Sequence, residues 1–333
     1  MTGMKQHTAS APARIAGLRH QRTAFVVLAG FFLVAPLVLY PIFLMKVMCF
    51  ALFAAAFNLL IGYVGLLSFG HAMFLATGGY LSAHAAKVWG LPPEFAILTG
   101  AAAAALLGLI AGLIAIRRQG IYFAMITLAL SQMFFYFCVG ASFTGGEDGI
   151  SAIPRRPVFG FIDINNDRVL YYVVLAVFAA SFLFIYRTIH SPFGQVLQAI
   201  RENELRAISL GYRVNQYKLV AFVVSAALVG LAGSLKVLVF QLASLVDVGW
   251  ALSGEVILMT LVGGIGTVFG PIVGAAVILT MQNYLSGLAL WVPVIQGSIF
   301  VLVVLLFQRG IAGEIAGWFR RANQQAIAKK RSP

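Results

Sequence analysis

Few side chains in this sequence are placed to do chemistry, and several of them lie in two glycine-rich stretches. The first, NLLIGYVGLLSFGH (58–71), sets an amide, a hydroxyl and an imidazole among spaced glycines inside an otherwise apolar run. Polar groups in such surroundings are costly unless they pair or line a water-filled path, and glycines let helices break or approach closely. Asn58, Ser68 and His71 are therefore candidates for hydrogen bonding along a translocation path. The competing reading is ordinary small-residue helix packing with locally satisfied polar groups. A metal role for His71 is disfavoured, because no second ligand stands at helical spacing from it. The second stretch, LVGGIGTVFGP (261–271), resembles a dinucleotide-binding loop only superficially, since GGIGTVFG is not GxGxxG after a strand. Both stretches end in Phe-Gly (Phe69-Gly70, Phe269-Gly270) after a spaced glycine (Gly65, Gly266), which hints at an internal repeat, a common transporter device.

Other reactive constellations are missing from the sequence. There is no Walker loop, no Ser/His/Asp set and no zinc spacing, so neither ATP hydrolysis nor acid–base catalysis is expected of this chain. Cys49 and Cys138 each fall inside an apolar run and read as packing residues. Lys236 and Glu255 lie within or near apolar runs. Lys236 reads as snorkelling to the nearer surface in preference to contacting a solute, and Glu255 as hydrated near a span end. A proton-coupled carrier would need ionisable groups deeper than these. Energy for uphill transport then has to arrive from outside the chain.

The elements that carry these residues follow from composition. The 333 residues are 61% hydrophobic and 10% charged, with a mean hydropathy of +0.95, where a soluble domain carries about 25% charged residues. Apolar runs long enough to cross a bilayer recur along the chain, so the expected fold is all-α: a polytopic transmembrane helical bundle of about ten spans. We place the spans near 24–41, 43–63, 66–88, 94–116, 121–140, 169–187, 218–241, 252–268, 271–289 and 292–308. Eight spans result if 66–88 and 252–289 are re-entrant. The transmembrane domain is then 24–308, flanked by basic segments 1–23 and 309–333. The apolar run after residue 23 has no small-residue cleavage signature and reads as a retained span. The net charge of +13 does not point to nucleic acid, because most basic residues fall in loops and tails. Their bias puts both termini, the 117–120 turn and the 188–217 loop in the cytoplasm by the positive-inside rule, and the 141–168 loop outside.

Two loops stand out. In the cytoplasmic one, Ser191 is a candidate N-cap, Pro192 suits the first helical position and Gly211 suits a left-handed stop. Between them an amphipathic helix over 192–210 presents Phe193, Val196, Leu197 and Ile200 on one face. Such a helix needs a partner, and charge at Phe193 or Ile200 is expected to abolish coupling while the chain still inserts. In the external loop, Thr144, Gly145, Gly146, Glu147 and Asp148 form a shaped turn with exposed charge, a candidate contact for a soluble partner.

Five segments occur in an order that resembles a known family: NLLIGYVGLLSFGHAMF (58–74), RRQGIYFAMITLA (117–129), TGGEDGISAIP (144–154), SPFGQVLQAIRENELRAISLGY (191–212) and LVGGIGTVFGPIVGA (261–275). Together they resemble the M-type membrane permease subunit of branched-chain amino acid ABC transporters, over about residues 24–308. The resemblance implies a multi-pass subunit of the bacterial inner membrane that binds no cofactor itself. It implies a second permease, two cytoplasmic ATPases that use ATP, and a periplasmic binding protein as partners. It also implies that 191–212 docks on the ATPase, with Phe193, Ala199, Arg201, Glu202 and Gly211 matching that segment. The sequence departs from the Glu-Ala-Ala pattern of many importers at Arg201–Glu204, and Lys236 stands where an uncharged or aromatic residue is expected. Amino acids, urea, short-chain amides and related solutes are all substrates of permeases of this type. The reading from another class is a self-sufficient carrier or channel.

Overall fold

The computed structural model describes residues 30–37, 39–285, 291–306, 310, 313 and 314. The basic segment 1–23, the start of the first expected span (24–29) and nearly all of the tail lie outside them. The described chain is a helical membrane bundle. Its elements are α1 (Pro41–Asn58), which runs on through a wide π-type turn (Leu59–Val64), then α2 (His71–Lys87), α3 (Pro93–Ala115) and α4 (Ile121–Gly140). There follow α5 (Asp167–His190), α6 (Pro192–Glu202), α7 (Glu204–Ser209), α8 (Val214–Phe240), α9 (Trp250–Gly263), α10 (Gly270–Leu285) and α11 (Val292–Leu306). Two short strands, β1 (Ile150–Ser151) and β2 (Leu242–Ala243), pair antiparallel, with Ile150 opposite Ala243 and Ser151 opposite Leu242.

Burial sorts these helices into layers. The α1 segment is apolar all round, and 94% of its most apolar window is buried, as a helix without a polar face should be. The α8 helix, 72% buried in its window, packs on α1, α2 and α3. By contrast α3 and α4 are each 28% buried. They turn Leu106, Ile110, Leu113, Met125 and Tyr136 outward, which is the apolar exterior a bilayer requires.

Five segments among the described residues are long and apolar enough to cross a membrane: Pro41–Val64, α3, α4, α5 and α8. The expected spans at 66–88 and 252–268 are shorter as helices than their apolar runs. The α2 helix starts only at His71 and has 17 residues, or about 25 Å at 1.5 Å per residue. The α9 helix stops at Gly263 after 14 residues, about 21 Å. Each run is completed by non-helical chain, residues 65–70 and 264–269. At Gly65 the chain reverses with φ 82°, a left-handed conformation that glycine adopts without a Cβ penalty.

Small residues set how closely α2, α3 and α8 approach. A Cβ on Gly78 would collide with the backbone of Gly230, and Ser234 Oγ donates to Gly78 O at 3.0 Å. Close backbone approach of this kind replaces the missing hydrophobic drive between helices in lipid. Gly78→Leu is therefore expected to force α2 and α8 apart, at about 1–3 kcal/mol or more. A lowered thermal midpoint of the detergent-solubilised protein is the check; an unchanged midpoint contradicts the close packing.

The amphipathic helix starts as the sequence predicts. Ser191 Oγ accepts from Gly194 N at 3.3 Å, Pro192 opens the first turn, and Gly211 has φ 88°. It does not run unbroken to 210. Asn203 leaves helical geometry and its side chain accepts from Arg206 N at 3.0 Å, ending α6 and capping α7. The two helices are anchored differently. Leu197 and Ile200 are buried to 0% and 2% exposure within this chain, and Phe193 stacks on Tyr217 at 5.7 Å. That apolar face seals against the chain's own bundle, which leaves Leu197 and Ile200 no surface for a soluble partner. The α7 helix is tied to α8 by the Glu204–Lys218 ion pair at 2.7 Å, with the lysine 3% exposed, and by Ala207 packed near Val214. Its outer side, with Leu205, Ile208 and then Leu210, stands 77%, 53% and 70% exposed.

Candidate functional site

The two glycine-rich stretches, more than 200 residues apart in sequence, meet at the end of the bundle that carries α6. Asn58 closes the last regular turn of α1, and its amide binds the 264–269 turn through both atoms. Its Oδ1 accepts from Gly266 N at 2.9 Å, and its Nδ2 donates to Thr267 O at 2.9 Å. Tyr63, on the wide turn, donates its hydroxyl to Gly266 O at 3.0 Å. A Cβ on Gly62 would lie 2.8 Å from Gly266 N, so glycine is what lets the two breaks touch. The two glycine-rich stretches thus meet at two helix interruptions, through Asn58, Gly62 and Tyr63 on one side and Gly266 and Thr267 on the other. Backbone freed at such interruptions must be satisfied within the protein, and here the amide of Asn58 and the phenol of Tyr63 do it.

Arg201 joins the surface helix to this junction. From the last turn of α6 its Nη1 donates to Gly62 O, and its aliphatic stem lies over Gly65. One side chain therefore connects the exposed helical hairpin α6–α7 to both interrupted membrane segments. Glu202, beside it, is exposed. Sequence reasoning names Arg201 but not its target, and does not bring Tyr63 and Thr267 to this junction.

Ser68 and His71 do not line an open path in this conformation. Both are fully buried. Ser68 Oγ accepts from Gly70 N at 3.2 Å, Thr127 Oγ1 from Phe69 N at 3.1 Å, and Ser253 Oγ from Ala72 N at 3.0 Å. These hydroxyls satisfy N–H groups of the non-helical chain leading into α2 and of its first turn, inside the bundle. His71 sits in an aromatic box of Phe57, Phe74 and Phe222, with ring centroids 5.0, 5.5 and 5.8 Å away. Its Nε2 lies 3.1 Å from Ser225 Oγ, whose own proton goes to Ala56 O at 2.7 Å. The serine oxygen is therefore the acceptor and Nε2 carries the imidazole proton. Asn58, at 2% exposure, is likewise a junction residue in this state.

At the opposite end, the 144–149 turn is as shaped as its glycines suggest. Thr144, expected as a contact, is buried and donates to Cys138 O at 2.6 Å and Ala141 O at 2.8 Å. It holds the turn and does not present it. Gly145 and Gly146 take positive φ, and Glu147 and Asp148 are exposed. The turn feeds β1, and the β1–β2 pairing ties it to residues 242–243. Lys236, expected to snorkel, instead pairs with Asp247 and lies over the Phe50 ring at 5.6 Å, with both charged side chains under one-fifth exposed. Glu255 accepts from Gln282 Nε2 at 2.9 Å.

The chain is 28% identical over 287 residues to the high-affinity branched-chain amino acid transport system permease protein LivM of Escherichia coli (strain K12), covering 79% of this chain and 68% of that one. The LivM of Salmonella typhimurium (strain LT2) is 27% identical with the same coverage. The xylose transport system permease protein XylH of Haemophilus influenzae is 28% identical over 162 residues, 44% of this chain and 42% of that one. No solved structure gives a significant match. A bundle of apolar helices with paired interruptions suits a transport role, and the family sequence model described as branched-chain amino acid transport system, permease component, matches residues 40–308. The chain belongs to that permease family.

Proposed function

We propose that this chain is one of two related membrane permeases in an ATP-driven importer of branched-chain amino acids or related small solutes. It sits in the bacterial inner membrane with both termini in the cytoplasm, as the basic bias of its loops indicates. Two cytoplasmic ATPases dock at α6–α7, and a periplasmic binding protein docks at the opposite end. The observation that carries this reading is the Arg201–Gly62 contact, which links α6, joined at Asn203 to the α7 helix with its exposed apolar side chains, to the junction of two interrupted membrane segments. A partner that moved α6–α7 would act directly on the point where those segments can reorient, and a nucleotide-driven switch between two bundle states needs such a link. The names of the similar LivM proteins support an amino-acid solute, while XylH keeps other small solutes in view.

Co-reconstitution in proteoliposomes with the second permease, the ATPases and the binding protein tests this. Uptake is expected to need internal ATP and external loaded binding protein. Ion-gradient-driven uptake by the purified chain alone overturns the reading in favour of a self-sufficient carrier. In the same system Glu147→Lys with Asp148→Lys is expected to weaken stimulation of ATP hydrolysis by the binding protein and to leave unstimulated hydrolysis intact, because the turn is exposed and held by Thr144. Unchanged stimulation makes the turn mere scaffold.

A further inference from the structure

A narrow crevice opens between α2, α8 and the chain after β2, near the end that carries the 144–149 turn. Its lining includes Leu75, Ala76, Tyr80, Lys236, Ser244 and Asp247. Two features of it are unusual for plain packing. Lys236 and Asp247 form an ion pair there, and their side chains are 16% and 12% exposed. Tyr80 is 3% exposed and its hydroxyl has no hydrogen-bond partner, although a buried hydroxyl normally finds one.

We infer that Lys236, Asp247 and Tyr80 form a recognition site for a small solute that carries both a carboxylate and an ammonium group. The inference rests on the transport reading above and adds the site. In the present state the crevice has no room for a solute, and the two charges satisfy each other. An entering zwitterion exchanges that one internal pair for two, carboxylate to Lys236 and ammonium to Asp247. The Tyr80 hydroxyl then gains the partner it lacks.

Selectivity follows from the same balance. A neutral solute cannot split the pair without leaving two charges unpaired, and a singly charged one leaves one of them so. Breaking a buried pair in that way is strongly unfavourable. Leu75, Ala76 and Val237 give the wall against which an aliphatic side chain packs. Ser244, half-buried in the lining, offers a position for a reporter thiol.

The test uses the full reconstituted complex, with Cys49 and Cys138 replaced by alanine and a single thiol placed by Ser244→Cys. ATP hydrolysis stimulated by loaded binding protein reports the transport reading. Labelling of the thiol by a membrane-impermeant reagent, without binding protein, reports the site. Leucine at about ten times its dissociation constant is expected to slow labelling about tenfold, following occupancy. Isocaproamide, with the same carbon skeleton and no charge, and urea are expected to leave the rate unchanged. Protection is expected to vanish in Tyr80→Phe, which removes one atom, and in the double variant Lys236→Met/Asp247→Met, which leaves neither charge unpaired. No protection by leucine, equal protection by the amide or urea, or protection surviving both variants overturns the site. Protection without stimulated hydrolysis keeps the site and removes the transport reading.

Discussion

Arg201→Met is expected to separate ATP hydrolysis from uptake in the reconstituted importer, lowering solute uptake by roughly 5–150-fold, the span of a 1–3 kcal/mol coupling. The reason is the position of one guanidinium. It leaves the last turn of α6, reaches Gly62 O on the wide turn after α1, and carries its stem across Gly65. Asn58 and Tyr63 pass that position on to the 264–269 turn. Methionine keeps the stem and removes the donor. The surface hairpin then still meets its partner through the untouched face of α7, but its movement is no longer tied to the membrane breaks. Arg201→Lys is expected to rescue only in part, since an ammonium lacks the planar fork of donors. Uptake and hydrolysis measured in the same proteoliposomes decide the matter. Uptake equal to that of the parent protein in Arg201→Met means the contact transmits nothing.

Local signals were legible in the sequence; their long-range partners were not. Ser191, Pro192 and Gly211 act on backbone within three residues of themselves, so residue type and spacing were enough. Asn203 carries the same kind of signal. The apolar stripe continues on both sides of it, however, so periodicity alone draws one helix from 192 to 210. The Leu197–Ile200 face illustrates a further limit: amphipathicity says that a face is covered, not by what. Here the bundle covers it, and the partnerless apolar side chains are those of α7.

The charged and polar residues of the membrane show the same division. Lys236 was read against the nearest surface, whereas its partner Asp247 lies 11 residues on, beyond the end of α8. Asn58 and Gly266 are 208 residues apart, and only the repeated Phe-Gly gave any hint that they belong together. His71 looked like a path residue because an imidazole in an apolar run needs a reason. Three aromatic rings and one serine, drawn from α1, α2 and α8, supply it. In each case the missing fact is the identity of a tertiary neighbour, which no window of sequence contains.

Leu205→Glu and Ile208→Glu are expected to release the ATPases from the detergent-solubilised complex without destabilising the permease itself. Leucine and isoleucine at 77% and 53% exposure contribute nothing to this chain's core. Buried in a partner's groove, such side chains are worth about 1.5–3 kcal/mol each. A carboxylate there forfeits that gain and must be desolvated besides. Loss of ATPase co-purification by more than tenfold is the expected result, where 1.4 kcal/mol is a factor of ten. Ile200→Glu serves as the contrast. Ile200 is 2% exposed against Ala207 and Val214, so a carboxylate there acts on the permease's own folding and lowers its thermal midpoint. The two sets of variants therefore distinguish a docking face from a sealing face by which quantity moves. If Leu205→Glu leaves the ATPases bound and Ile200→Glu releases them from a permease of unchanged stability, the docked surface is α6 after all, and α6 must lift from the bundle to reach its partner.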